Sequence, residues 1–207
     1  MKSTILTLIL ALSLALAFTK DLSQTDSVSV QVKKQDSTRR HSIGSSLFLL
    51  GNLDAKKPPY FYQLNYGYQF TPKDKILVEA TSWVYNEPLG TYGNSDETYP
   101  GKVRAIGLGL GYQRYVWKNV YTSVIATPFL QQFLNRDNKE IQTGVQLYLS
   151  TILGYHFEFC KNSKFIEPAI AFKYWPVDTN IPDSFKEINK GTPNYIFEPS
   201  LNFGFKF

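Results

Sequence analysis

From Ile43 onward, apolar and polar side chains alternate with a period of two. That is the period of an extended strand, whose successive side chains point to opposite faces. In residues 60–70, YFYQLNYGYQF, Tyr60, Tyr62, Leu64, Tyr66, Tyr68 and Phe70 share one face, and Phe61, Gln63, Asn65, Gly67 and Gln69 share the other. Residues 143–159 repeat the pattern: Val145, Leu147, Leu149, Leu153, Tyr155 and Phe157 alternate with Gln146, Ser150, Gly154, His156 and Glu158. The spacing predicts strands near 42–52, 60–70, 76–86, 102–116, 120–134, 143–159, 165–175 and 195–207, separated by turn signals. No helix is needed after the N-terminal segment. In 102–116, Gly107, Gly109 and Gly111 occupy one face, which leaves room for bulky neighbours. Pro128, Pro168 and Pro199 each remove a ladder donor, so bulges or locally broken pairing are expected there.

The connections 53–59, 87–101, 135–142 and 176–194 follow odd strands and are the longer set, while 71–75, 117–119 and 160–164 follow even strands and are short. Long and short connections at opposite ends, with an even strand count, predict an all-β fold: an eight-stranded antiparallel up-and-down transmembrane β-barrel. The apolar faces carry too many Tyr, Phe and Leu for the narrow interior of an eight-stranded barrel to hold, so they are expected to face lipid. The small and polar faces then line a packed polar lumen.

The N-terminus refines the location. Met1-Lys2, an apolar run from Ile5 to Ala17 and the small-x-small ending Ala15-Leu16-Ala17 predict a secretory signal peptide at 1–17. Residues 18–41 are polar and aperiodic and read as a flexible periplasmic lead-in to a barrel spanning 42–207. The formal charge of +5 is scattered rather than clustered, which argues against nucleic acid as a partner. With Cys160 as the single cysteine, no intramolecular disulfide and no cysteine-based metal cluster can form.

The closing LNFGFKF, with Phe203, Phe205 and Phe207 at alternate positions, resembles the final strand of Gram-negative outer-membrane β-barrels. In those proteins this pattern serves as the signal to the barrel assembly machinery. Architecture over 43–207 resembles the small eight-stranded outer-membrane proteins. The echo between FIEPAIAF and IFEPSLNF is similar to an uncharacterised barrel family. The resemblance implies an outer-membrane location, a monomer and contact with membrane lipid, and it implies no activity.

Candidate chemistry lies on the lumen face. Glu79, His156, Glu158, Glu167 and Lys206 fall toward the short-turn end, and Lys173 and Glu198 toward the long-loop end. One allowed register sets Lys173 opposite Glu198 and brings Lys206 near Glu167. Read as chemistry, His156 with Glu158 or Glu167 is a general acid/base pair acting on a lipid or peptide; outer-membrane lipid A enzymes share the eight-stranded scale, although no motif of those enzymes is present. Read as structure, the same residues form a polar plug of paired charges, because an unpaired charge there is costly. The plug is the expectation, and lipid modification is the alternative. Ser150 lies six positions from His156 on the same face, roughly 20 Å away, too far for a nucleophile and its base. Two histidines exclude a three-histidine zinc site and leave His156 with two glutamates as a weak metal candidate; no metal or cofactor is expected. His41 reads as solvated, and Asp96-Glu97 lack calcium-loop spacing. The loops 87–101 and 176–194 are the places for an extracellular ligand.

Overall fold

The computed structural model describes residues 39–53, 58, 60–91 and 97–207. The expected signal segment 1–17, the lead-in up to residue 38, and Asp96 in the loop 87–101 lie outside the described residues.

Strands β1 (His41–Ser46), β2 (Tyr62–Gln69), β3 (Asp74–Tyr85), β4 (Gly101–Trp117), β5 (Val120–Asn135), β6 (Glu140–Tyr155), β7 (Phe157–Phe159), β8 (Lys164–Asp178) and β9 (Tyr195–Lys206) form one antiparallel sheet. Neighbours run β6-β5-β4-β3-β2-β1-β9-β8-β7, and a further β6–β8 pairing closes eight strands into a ring. Among the described residues the count is therefore nine where eight were expected.

Proline explains the ninth strand. Gly154 pairs Ala169 and Phe157 pairs Ile166, one register on either side of a break that holds Tyr155 and Pro168. In an antiparallel ladder each residue directs both backbone groups to the same neighbour. Ser163 O accepts from Lys206 N, so odd β8 residues here serve β9 and even ones, Pro168 included, turn toward β6. The donor that Pro168 lacks is the one Tyr155 would have received, and the expected sixth strand divides into β6 and β7. Pro128 acts similarly between β4 and β5. Pairing jumps from Gly107–Phe129 to Leu110–Ala126 without a change of register.

Pro199 faces a different situation. His41 and Phe207 exchange two backbone hydrogen bonds of 3.0 and 2.9 Å, so odd β9 residues turn toward β1. However, β1 ends at Ser46, opposite Asn202. Pro199 thus points its missing donor at a stretch of β9 with no ladder partner, where proline costs least. After Ser46 the chain continues as a 3-10 helix, Leu47–Leu53, in place of the strand expected to reach residue 52. Above Ser46, among the described residues, no strand lies between residues 62–64 of β2 and 195–201 of β9. Side chains fill in part of this low wall. Asn52 Nδ2 donates to Phe61 O at 2.7 Å and its Oδ1 accepts from Phe61 N at 2.9 Å, while Ser45 Oγ donates to Gln63 O at 2.6 Å.

The two faces of the ring divide by polarity in the expected sense. Leu108, Leu110 and Phe197 point outward with 64, 66 and 68% of their surface exposed, together with Leu64, Ile106, Leu130, Leu153, Ile170 and Phe205. Inward lie Ser42, Gln69, Thr81, Gln113, Ser123, Thr127 and Gln146, all buried. The glycine row of β4 is a packing requirement. A Cβ at Gly107 would stand 2.7 Å from the Phe129 ring, and one at Gly111 would stand 2.7 Å from Ile125.

The connections 70–73, 118–119 and 160–163 are short, and three of the four at the other end are longer. The fourth, 136–139, is also short, because β5 and β6 keep pairing up to Leu134–Glu140 around a bulge. The connection after β8 was expected to have no regular structure but holds helix α1 (Asp183–Asn189). Seven residues are too few to display a helical period in the sequence. Phe185 anchors this turn, 1% exposed, with its ring 4.7 Å from Tyr99 and 5.4 Å from Phe133.

Candidate functional site: the lumen and its cavity

All seven lumen residues expected from the sequence lie on the inward face, but they divide into three groups along the ring. Nearest the short turns, His156 Nδ1 lies 2.6 Å from Glu167 Oε1 and His156 Nε2 lies 2.9 Å from Glu158 Oε1. Lys206 Nζ donates to Glu158 Oε1 at 2.5 Å. The imidazole is 3% exposed and packs between the rings of Phe165 at 5.2 Å and Tyr115 at 5.7 Å. His156 reaches this point because the register is the same on both sides of the break, so it continues the inward face of β6. Its own backbone is held from the other side, with N donating to Asn119 O at 2.9 Å and O accepting from Asn119 Nδ2 at 2.8 Å.

Midway, Glu79 accepts from Gln63 Nε2 at 2.6 Å and from Thr127 Oγ1 at 3.0 Å. Toward the long connections, Lys173 forms an ion pair with Glu198. The expected register is corrected by two residues: Lys173 stands opposite Ile196, and Glu198 stands opposite Ala171. A shift of two preserves the faces, so the ion pair survives as a diagonal contact. Lys206 consequently meets Glu158 rather than Glu167.

The sequence reading missed Lys75, which was assigned to the turn 71–75. It is 5% exposed and in phase with Leu77, Glu79 and Thr81 on the inward face of β3, so extending the two-residue period by one step would have found it. Its ammonium sits 5.8 Å from the Phe165 ring. Among the described residues it has neither a hydrogen bond nor an ion pair within 4.0 Å.

Above the polar floor the interior is aromatic rather than a packed polar plug. Tyr148 and Trp175 stack at 5.5 Å, Phe129 meets Tyr148 edge-on at 5.8 Å, and Gln131 Nε2 donates to Tyr85 OH at 2.9 Å. Tyr99 donates to Asn189 Oδ1 and so ties the end of α1 to this tier. Between floor and tier lies a cavity of about 560 Å³. Its wall includes Lys75, Glu167, Trp83, Phe129 and Ile152, and also Ser46, Phe48 and Gln63 beside the low wall. His156 and Glu158 lie off that wall. Among the described residues, no group of three or more His, Cys, Asp or Glu side chains is arranged to hold a metal ion.

Comparison with known proteins adds no identity: no family model, no curated protein and no solved structure matches this chain.

Proposed function

We propose that this chain is an integral outer-membrane β-barrel of a Gram-negative envelope, with a binding or structural role and no catalysis. The observation that supports this reading is the inverted polarity of the ring. Leu108, Leu110, Ile106 and Phe197 face outward on a closed sheet, whereas the interior floor is built from Lys, Glu, His and Gln. In water, so many exposed apolar side chains would form a patch far beyond what soluble monomers carry. In a bilayer the same face is solvated by acyl chains, and closure of the ring leaves few backbone groups without partners. Among the described residues no helix is long and apolar enough to cross a membrane, so the strands are the spanning elements of this reading.

On the same reading, Phe203, Phe205 and Phe207 are the signal to the barrel assembly machinery. The end of the ring that carries the connections after β3 and β8 is, on this reading, the exterior side, and 87–101 and 176–194 are the places for an extracellular ligand. The alternative of lipid modification asks His156 to act as a base. Both of its ring nitrogens face carboxylates, and it is set back from the cavity wall, so a structural role fits it better. Envelope fractionation tests the proposal. The chain is expected with outer membranes, migrating faster on detergent gels before boiling than after. Recovery as a soluble periplasmic species would refute it.

A further inference from the structure

The lumen cavity follows β3, and one end of it holds a cation to which the described residues give no acceptor. Lys75 and Trp83 both line it, eight positions apart on β3, which sets their backbones ~26 Å apart along the strand. A volume of about 560 Å³ lies along that reach, the direction an extended chain would take. The volume also falls within the roughly 300–1,000 Å³ of ligand pockets. Most of the wall area is apolar, with Leu77, Ile125, Phe129 and Ile152 between the two ends; Glu79, held by Gln63 and Thr127, and the Lys173–Glu198 pair also line it.

Lys75 gives the cavity its polarity. The charges around it balance in number, since Glu158 and Glu167 face Lys75 and Lys206. What is missing is hydrogen bonding: Glu167 Oε1 is engaged by His156 and Glu158 Oε1 by Lys206, while the described residues give the three N–H groups of Lys75 no acceptor. An ammonium that faces the cavity without a protein acceptor is satisfied from within the cavity, and a charged acceptor does so best. Thr81 Oγ1, buried on the same wall, is likewise without a partner and offers a second polar point farther along.

We infer that the cavity binds one single-chain amphiphile with an anionic head, its carboxylate or phosphate on Lys75 and its chain running toward Trp83. The low wall between β2 and β9 supplies the way in. There β1 has ended, the backbone of 195–201 has no strand beside it, and Ser46, Phe48 and Gln63 border the cavity. An amphiphile in the bilayer could enter sideways without unfolding the ring. Binding rests on the cavity alone, and only this sideways route rests on the membrane reading above.

The test is native mass spectrometry of the full chain, refolded in a neutral detergent, with palmitate, hexadecyl phosphate, methyl palmitate and hexadecyltrimethylammonium as probes. At least one of the two anionic probes is expected to bind one to one, at least tenfold tighter than the neutral and cationic probes. Whichever anion binds tighter names the head group. Lys75→Met should erase that preference; because it leaves Glu158 and Glu167 with Lys206 as their remaining lysine, its folding is checked by fast migration on unheated gels. Ala105→Trp, which fills the cavity with Lys75 intact, should abolish binding of every probe. Equal binding of anionic and neutral probes, an unchanged preference in Lys75→Met, or no binding at all would overturn the inference. None of these results bears on membrane location, which fractionation decides.

Discussion

Lys173 reaches Glu198 diagonally across β8 and β9, from a position opposite Ile196 to one opposite Ala171. The two side chains keep 25 and 35% of their surface exposed, toward the cavity. The pair is therefore less costly to break than a fully buried one, for which removing one partner costs about 3–5 kcal/mol.

A double-mutant cycle with Lys173→Met and Glu198→Gln, read by urea unfolding from detergent, is expected to give a coupling energy of about 1 kcal/mol. Zero coupling would contradict the contact.

The His156 cluster should respond more strongly. His156→Phe removes a partner from buried Glu167 and from half-buried Glu158, which keeps Lys206, and is expected to cost about 3 kcal/mol, while His156→Gln, which keeps one donor, should lose about half as much. The same unfolding assay reads both. Envelope lipids from cells with and without the wild-type protein should show the same acyl pattern, and a changed pattern would revive the catalytic alternative.

The prolines make opposite predictions on two strands. Pro168→Val supplies a donor facing Tyr155 and is expected to stabilise the ring by about 1 kcal/mol by joining β6 to β7. Pro199→Val adds a donor facing the low wall, where no strand accepts it, and should give no gain. Midpoint shifts in urea distinguish the two outcomes, and equal shifts would contradict the assignment of backbone directions.

Much of this architecture is written in the two-residue period. The outward faces of β2, β4, β6 and β9 alternate cleanly, so their orientation follows from Tyr62, Leu108, Leu153 and Phe205 without coordinates. β1 is different: SLFLL carries no alternation, and whether it continues as strand depends on whether β2 and β9 reach it. The floor of the lumen was legible as a set of residues but not as pairs, because a shift of two residues keeps every face and changes every partner. Lys75 was lost to a strand boundary placed one residue late. The cavity depends on how the large side chains of facing strands meet, which no single strand encodes.

Phe207 closes the ring with β1, stacked on His41 at 5.7 Å and paired with it through two backbone bonds. Phe207→Asp should lower the yield of folded barrel, measured as the fraction that migrates fast on unheated gels. Normal yield would show that this contact and the terminal aromatic are dispensable.

Accessibility along β4 tests lipid exposure of the apolar band most directly. With Cys160 replaced by Ser, nitroxide labels at Leu108, Leu110 and Gln113 are compared in bilayers for collision with oxygen, which concentrates in lipid, and with a water-soluble nickel chelate. Labels at Leu108 and Leu110, both outward, are expected to favour oxygen strongly, while the label at Gln113, which faces the lumen, should not. Nickel accessibility at Leu108 and Leu110 equal to that of a water-exposed loop site would contradict a membrane-embedded ring.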